Sequence, residues 1–170
     1  RLYPRDRGLR GRAAPLYWAM AVAFRVNGRL VDAGECGGHV TLLQWLRARG
    51  LTGTKEGCAE GECGACAVAV RRTDAQGRPR FEPINSCLVP VAAADGESIV
   101  TVEGIAPGEG RLHPVQEAMV RAGGSQCGYC TPGFVMSLFA EQYRPGREGP
   151  CDPHAMGGNL CRCTGYRPLR

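Results

Sequence analysis

Cys58, Cys63 and Cys66 read C-x4-C-x2-C, and Cys87 follows after twenty intervening residues. Later in the chain Cys127 and Cys130 form C-x2-C, and Cys161 and Cys163 form C-x-C. Thiolate sulfur is the donor that iron–sulfur clusters take, four to each [2Fe–2S] core. The first spacing is that of a plant-type [2Fe–2S] site. Two sets of four in 170 residues predict a two-cluster electron wire.

The first set lies in a glycine-rich loop, in which Gly57, Gly61 and Gly64 let the backbone wrap tightly and aim N–H groups at the sulfurs. Zinc is the competing ligand, because four thiolates also make a tetrahedral structural site. Zinc sites commonly pair two C-x2-C knuckles, so C-x4-C-x2-C suits a flat diiron core better. A disulfide framework is the second competitor for ten cysteines. It is weakened by length, since 170 residues bury an adequate core without staples. The remaining thiols, Cys36 and Cys151, read as buried or incidental free cysteines.

The elements that must position the first set read as a small α+β unit over residues 22–105. Val22, Phe24 and Val26 alternate with period two, Asn27-Gly28 is a hairpin turn, and Leu30-Val31 begins the return strand. Thr41 is an N-cap for a helix through Leu42, Leu43, Trp45 and Leu46, stopped by Gly50. Strands over Ala67–Arg71, Phe81–Ile84 and Ile99–Val102 complete a sheet, with a polar turn at 74–77. Pro107-Gly-Glu-Gly110 is a joint, and residues 111–170 read as helical.

In that second part Pro114 opens a helix turning Val115, Ala118, Met119 and Ala122 inward, ended by Gly123-Gly124. Thr131-Pro132 is a cap-and-first-turn signal for a helix with Phe134, Val135, Leu138 and Phe139 on one side. Asp152-Pro153 starts a third, shorter one ending near Gly157-Gly158. The cysteine pairs thus fall at helix entrances and exits, where backbone donors and the positive dipole end favour an anion.

Composition excludes several function classes. The net charge of +5 is concentrated in residues 1–21, which carry five Arg and one Asp, and no basic stripe interleaved with aromatics follows. A nucleic-acid partner is therefore not expected. Residues 1–21 read as a disordered extension, with Met20 as a candidate native start; the apolar run from Ala13 to Phe24 is too short to span a bilayer. No G-x-G-x-x-G after a strand and no Walker loop occurs. His39, His113 and His154 are scattered and read as surface or capping residues, and Glu117 and Glu141 as solvated helix positions. No residue is expected to transform a substrate, so catalytic residues are none.

The segments Ser125-Gln-Cys-Gly-Tyr-Cys-Thr-Pro-Gly-Phe-Val-Met-Ser137 and Gly158-Asn-Leu-Cys-Arg-Cys-Thr-Gly-Tyr-Arg-Pro168, with Asn85-Ser-Cys87-Leu, resemble the iron–sulfur region of the molybdenum hydroxylases, the xanthine dehydrogenase and aldehyde oxidase family. The resemblance covers roughly residues 22–168. Within the family the 125–138 segment looks most like xanthine dehydrogenase, in the manner of a bacterial small subunit, with Tyr129 standing where Phe is commoner. Small subunits of aldehyde, carbon monoxide and N-heterocycle dehydrogenases share most of the motifs.

The resemblance implies a β-grasp plant-type ferredoxin domain followed by an all-α domain of four-helix-bundle type. Because only Leu169 and Arg170 follow Pro168, it also implies that the bundle is incomplete at its C-terminus and that the chain is a fragment of a longer FAD-containing polypeptide or a truncated small subunit. It implies metal ligands Cys58, Cys63, Cys66 and Cys87 for one [2Fe–2S] cluster and Cys127, Cys130, Cys161 and Cys163 for the other. It places Gln126 and Cys163 next to a molybdopterin held by a partner subunit or domain; a loop hydrogen bond is the other reading of Gln126. Electrons would pass from molybdopterin through the helical-domain cluster and the plant-type cluster to FAD. Arg162 would offset cluster charge or pack at the subunit surface. A free-standing ferredoxin-like carrier is the alternative, and the expected compartment is the cytoplasm, where thiols stay reduced.

Overall fold

The computed structural model describes residues 22–34, 36–108, 110–161 and 163–169. The expected extension over 1–21, the start at Met20 and the role of Arg162 lie outside the described residues.

The first described element is a hairpin of β1 (Val22–Val26) and β2 (Arg29–Gly34), antiparallel through Val26↔Arg29. Its turn is Asn27-Gly28, with φ of 51° and 80°, the doubly positive geometry that matches the twist of paired strands. β1 alternates buried and exposed residues as expected. Helix α1 (Leu42–Ala48) is closed by a capping box: Gln44 N–H donates to Thr41 Oγ1 at 3.2 Å, and Thr41 N–H donates to Gln44 Oε1 at 3.0 Å. After the first cysteine loop come β3 (Ala67–Thr73), β4 (Pro79–Asn85) and β5 (Ser98–Val100). β5 ends two residues earlier than its hydrophobicity suggests, because Val102–Gly104 turns into a 3-10 segment. Asn27 pins that exit: its Oδ1 accepts from Thr101 N–H at 2.9 Å and its amide donates to Thr101 Oγ1 at 3.0 Å.

The sheet order is β2-β1-β5-β3-β4, with β1 and β5 parallel and the other neighbours antiparallel. α1 packs Leu42, Trp45 and Leu46 against Phe24, Val26, Val68 and Ile99, and the Phe24 and Trp45 rings lie 4.8 Å apart. A second core forms from α2 (Pro114–Arg121), α3 (Thr131–Gln142), and Ala67 and Ala69 of β3. β3 is thus sandwiched, Val68 feeding one core and its alanine neighbours the other, which is why Ala67–Val70 are all buried.

Several local expectations are corrected. α2 buries Val115 and Met119, but Ala118 and Ala122 are exposed along an apolar groove. α3 is not one-sided: Gly133 through Ser137 and Phe139 through Glu141 are all buried, because β3 and β4 meet one side and α2 and the C-terminal segment meet others. Its cap position belongs to Cys130, which makes no side-chain cap bond, and Thr131 is already helical. The third element is a single 3-10 turn, Pro153–Met156, capped by Asp152. Among the described residues no helix is long and apolar enough to cross a membrane.

Two ionisable groups are buried, Glu141 where the sequence suggests solvent and His113 in the capping role the sequence allows. Glu141 accepts from Arg144 at 2.8 Å and from Asp152 N–H at 3.2 Å, and the Arg144 bond holds its carboxyl below the usual range. His113 caps α2: its Nδ1 accepts from Val115 N–H at 3.2 Å, so the neutral ring carries its proton on Nε2 and donates to Tyr143 Oη at 3.0 Å. Burial pushes its pKa below the ordinary imidazole value.

A group whose folded pKa is depressed contributes stability above its unfolded pKa and loses it as pH falls. The thermal midpoint therefore drops on acidification from about pH 7.5 to 5.5 through His113, and His113→Gln flattens that slope in a calorimetric pH series. Glu141→Gln costs about 1–2 kcal/mol at neutral pH, the half-exposed Arg144 keeping the loss modest. The Glu141 contribution itself fades only below the ordinary carboxylate range, which the same series separates from the histidine step.

Candidate iron–sulfur sites

The first set is built from a loop with both ends tied down. Arg47 of α1 donates to the carbonyls of Thr52 and Thr54, at 3.2 and 2.7 Å, and Lys55 N–H donates to Ala65 C=O at 3.2 Å. Beyond the loop Cys66 leads directly into β3, while Cys87 follows β4, whose Asn85 pairs with Ala67. The β3–β4 register is thus what brings Cys66 and Cys87 together across twenty residues. They bury with Leu43, and Ser86 Oγ donates to Cys66 C=O at 2.7 Å.

Within the loop the amides point at sulfur. Glu60 N–H and Cys63 N–H both approach Cys58 Sγ at 3.4 Å, and Cys58 N–H approaches Cys63 Sγ at the same distance. These donors, Glu60 first, hold the Cys58 thiol down to about 7, whereas burial pushes Cys66 up to about 11. A Cβ on Gly57 would stand 2.7 Å from Cys63 Sγ, so only glycine leaves that sulfur its room. A loop that turns N–H groups onto thiol sulfurs is fitted to hold them as thiolates, the form a cluster binds.

The second set joins two segments more than thirty residues apart. Cys163 Sγ lies 3.7 Å from Cys127 Sγ, and both residues are exposed. Cys130 and Cys161 interact as a second pair, both half-buried. Tyr129 N–H lowers the Cys127 pKa, and burial raises that of Cys130. Cys130 stands at the N-terminal end of α3, as the sequence suggests. Cys161 and Cys163 are not at a helix exit; they follow an irregular turn in which Tyr166 Oη donates to Asn159 C=O at 2.8 Å and accepts from Cys161 N–H at 3.2 Å.

All ten cysteines are free thiols, so no disulfide framework is present. Among the described residues no three His, Cys, Asp or Glu side chains already converge on one point; the eight thiols come together in pairs, Cys58 with Cys63, Cys66 with Cys87, Cys127 with Cys163, and Cys130 with Cys161. Cys36 donates to Ala33 C=O at 2.9 Å and Cys151 is half-buried beside Glu141 and Arg147, both away from the sets. Gln126 is exposed and its amide donates to Cys163 C=O at 3.2 Å, tying the two segments of the second set together.

The sequence reading overlooked the seam between the sets. Asn159 is buried, its amide donating to Gly64 C=O at 3.2 Å and its Oδ1 accepting from Ser137 Oγ at 2.7 Å. Leu160 N–H donates to Cys63 C=O at 3.0 Å, and Tyr129 Oη donates to Glu56 C=O. Gly64 has φ of 67°, and Gly133 of α3 packs so closely that a Cβ there would run into the Gly64 carbonyl. The signal available beforehand was a glycine two residues before a cysteine and another inside a helix, where glycine costs stability unless something approaches it.

Two family models match the chain: a 2Fe-2S iron-sulfur cluster binding domain over residues 24–92 and a [2Fe-2S] binding domain over residues 101–170. The chain is 47% identical over 163 residues to a xanthine dehydrogenase of Oryza sativa subsp. japonica, covering 92% of this chain and 12% of that protein. It is 46% identical over 153 residues to aldehyde oxidase 2 of Cavia porcellus, covering 87% of this chain and 11% of that protein. Among solved structures it resembles quinoline 2-oxidoreductase from Pseudomonas putida 86, with TM-score 0.71 and 34% identity over 89% of this chain and 88% of that one. Aldehyde oxidoreductase from Desulfovibrio gigas gives TM-score 0.73 and 34% identity over 88% of this chain and 16% of that one.

The Gly133 approach yields a sharp expectation. Gly133→Ala forces α3 off the Gly64–Ala65 backbone and destabilises the protein by about 1–3 kcal/mol, despite the better helix propensity of alanine. Gly128→Ala, which meets no such wall but has φ of 81°, costs about 1 kcal/mol or less beyond its backbone strain. Denaturant midpoints of the two variants check the difference.

Proposed function

Since the chain belongs to the molybdenum hydroxylase family, as its two-cluster iron–sulfur region, we propose that it relays electrons from a molybdopterin centre on a partner subunit or domain to FAD. The chain carries two [2Fe–2S]-binding domains; we assign Cys58, Cys63, Cys66 and Cys87 to one cluster and Cys127, Cys130, Cys161 and Cys163 to the other. The units are residues 22–105, a β-grasp domain of plant-type ferredoxin kind, and residues 111–170, a helical domain. Each cluster, when bound, takes up and gives back one electron.

The observation that carries the assignment is the pairing of the thiols. A diiron core needs two thiolates on each iron, and each set supplies two pairs contributed by segments that the fold brings together. The N–H groups turned onto Cys58 and Cys63 stabilise negative charge there. Family membership also favours iron–sulfur over zinc.

Gln126 and Cys163, exposed and hydrogen-bonded to one another, would face the molybdopterin. The first set, two half-buried and two buried cysteines with the exposed Leu88 beside them, would face the FAD side. The xanthine dehydrogenase reading rests on the 125–138 segment and on relatives of that name. The quinoline 2-oxidoreductase likeness keeps N-heterocycles in the substrate class. Ten free thiols suit a reducing compartment, the cytoplasm.

Anaerobically purified protein should hold about four iron and four acid-labile sulfide per chain, with two distinguishable S = 1/2 EPR signals after dithionite reduction. Cys66→Ser and Cys130→Ser should each remove a different one of those signals and about half the iron. Colourless protein containing zinc would overturn the reading.

A further inference from the structure

The seam between the two cysteine sets is more polar and more constrained than packing requires. Asn159 is 3% exposed and spends its amide on a backbone carbonyl of the first cysteine loop, 95 residues away in sequence. Its amide orientation is fixed from the other side by Ser137 Oγ, itself buried on α3. Its own carbonyl is taken by Tyr166. The next residue, Leu160, donates its N–H to Cys63 C=O, and the residue after that is Cys161. One hydrogen bond therefore separates the backbone of a cysteine of the first set from that of a segment ending in a cysteine of the second.

Two glycines make the approach possible. A side chain on Gly64 would collide with the Gly158 carbonyl and the Asn159 amide, and one on Gly133 with the Gly64 carbonyl. Three segments, the first cysteine loop, α3 and the 158–161 turn, thus meet backbone to backbone at one point. An apolar residue in place of Asn159 would fill similar volume, leave the buried Ser137 hydroxyl without its Asn159 partner, and leave the Gly64 carbonyl with the Ala67 N–H but without its link to the 158–161 turn.

We propose that Asn159 is a positioning residue that fixes the separation and register of the two cluster sites. It does so by locking Cys63-Gly64 against Leu160-Cys161, and the Cys63–Leu160 hydrogen bond is a through-bond link between the sets. The inference rests on the two-cluster assignment above. The hydrogen bonds of Asn159 go to Gly64, Ser137, Met156 and Tyr166, not to a sulfur. Its effect is on the distance between sites, and hence on their magnetic coupling and on electron exchange between them.

The test uses the full chain, loaded anaerobically, and begins with the unmutated protein. Absence of two EPR signals there sinks the two-cluster reading itself. With both signals present, Asn159→Asp keeps the acceptor for Ser137 and replaces the donor to Gly64 by a carboxylate. The expected result is a changed spin–spin splitting between the two reduced clusters, with both signals and the iron content retained. Leu160 amide hydrogen exchange should also accelerate by about tenfold or more. Glu141→Gln, which weakens the helical part away from the seam, should lower the thermal midpoint and leave the splitting unchanged. If Asn159→Asp fails to load, Ser137→Ala, which removes only the group orienting the Asn159 amide, is measured for the same two quantities. Wild-type splitting and wild-type Leu160 protection in a loaded variant would overturn the proposal.

Discussion

The close approach of α3 to the segment from Gly64 to Ala69 governs the rest of this structure. That segment closes the first cysteine loop, supplies Cys66 and continues as β3, the strand shared by both cores. Small residues make the approach possible: Gly64, Ala65, Ala67 and Ala69 on one side, Gly133 on the other. A larger side chain anywhere along this line would separate the helices from the sheet and, with them, one thiol set from the other. Dispersion contacts fall away within an ångström of separation, so such a gap is not absorbed smoothly.

Packing on that line explains the unusual character of α3. A helix at a protein surface shows one apolar stripe, yet α3 is buried almost all round and carries Ser137 and Glu141 inside. Both polar residues are matched. Ser137 orients Asn159, and Glu141 gathers Arg144, Arg147 and the Asp152 amide at the far end. Aromatic contacts seal the outer edge, with Phe81 of β4 4.8 Å from Phe139 and His113 5.2 Å from the same ring. The helix is a spine between sheet and C-terminal segment, with Cys130 fixed at its start.

The two thiol sets differ in exposure in a way that suits their assigned neighbours. Cys66 and Cys87 are buried beneath Leu43, and Cys58 and Cys63 are held by loop amides. Cys127 and Cys163 are open to the surface, in contact with one another and beside the Gln126 bond to the Cys163 carbonyl. Burial and amide donation act in opposite directions on a thiol, raising Cys66 and lowering Cys58. Asymmetry of this kind gives neighbouring clusters different potentials.

Cysteine types and spacing, the hairpin at Asn27-Gly28, the Thr41 cap of α1 and the approximate position of each strand were all legible in the sequence. They depend on residues within a few positions of one another, or on ligand chemistry that admits few donors. What the sequence left open was how the two parts meet. Ala118 and Ala122 looked inward-facing and are exposed, while Glu141 looked solvated and is buried. Periodicity records that a helix has an apolar side, not which neighbour that side meets. The seam through Gly64, Gly133, Asn159 and Leu160 joins residues up to 97 positions apart, the Cys63 and Gly64 carbonyls accepting from the Leu160 backbone and the Asn159 side chain. Every residue type carries a backbone carbonyl, so no side-chain pattern announces which one a distant donor will meet; only the tertiary structure decided that pairing.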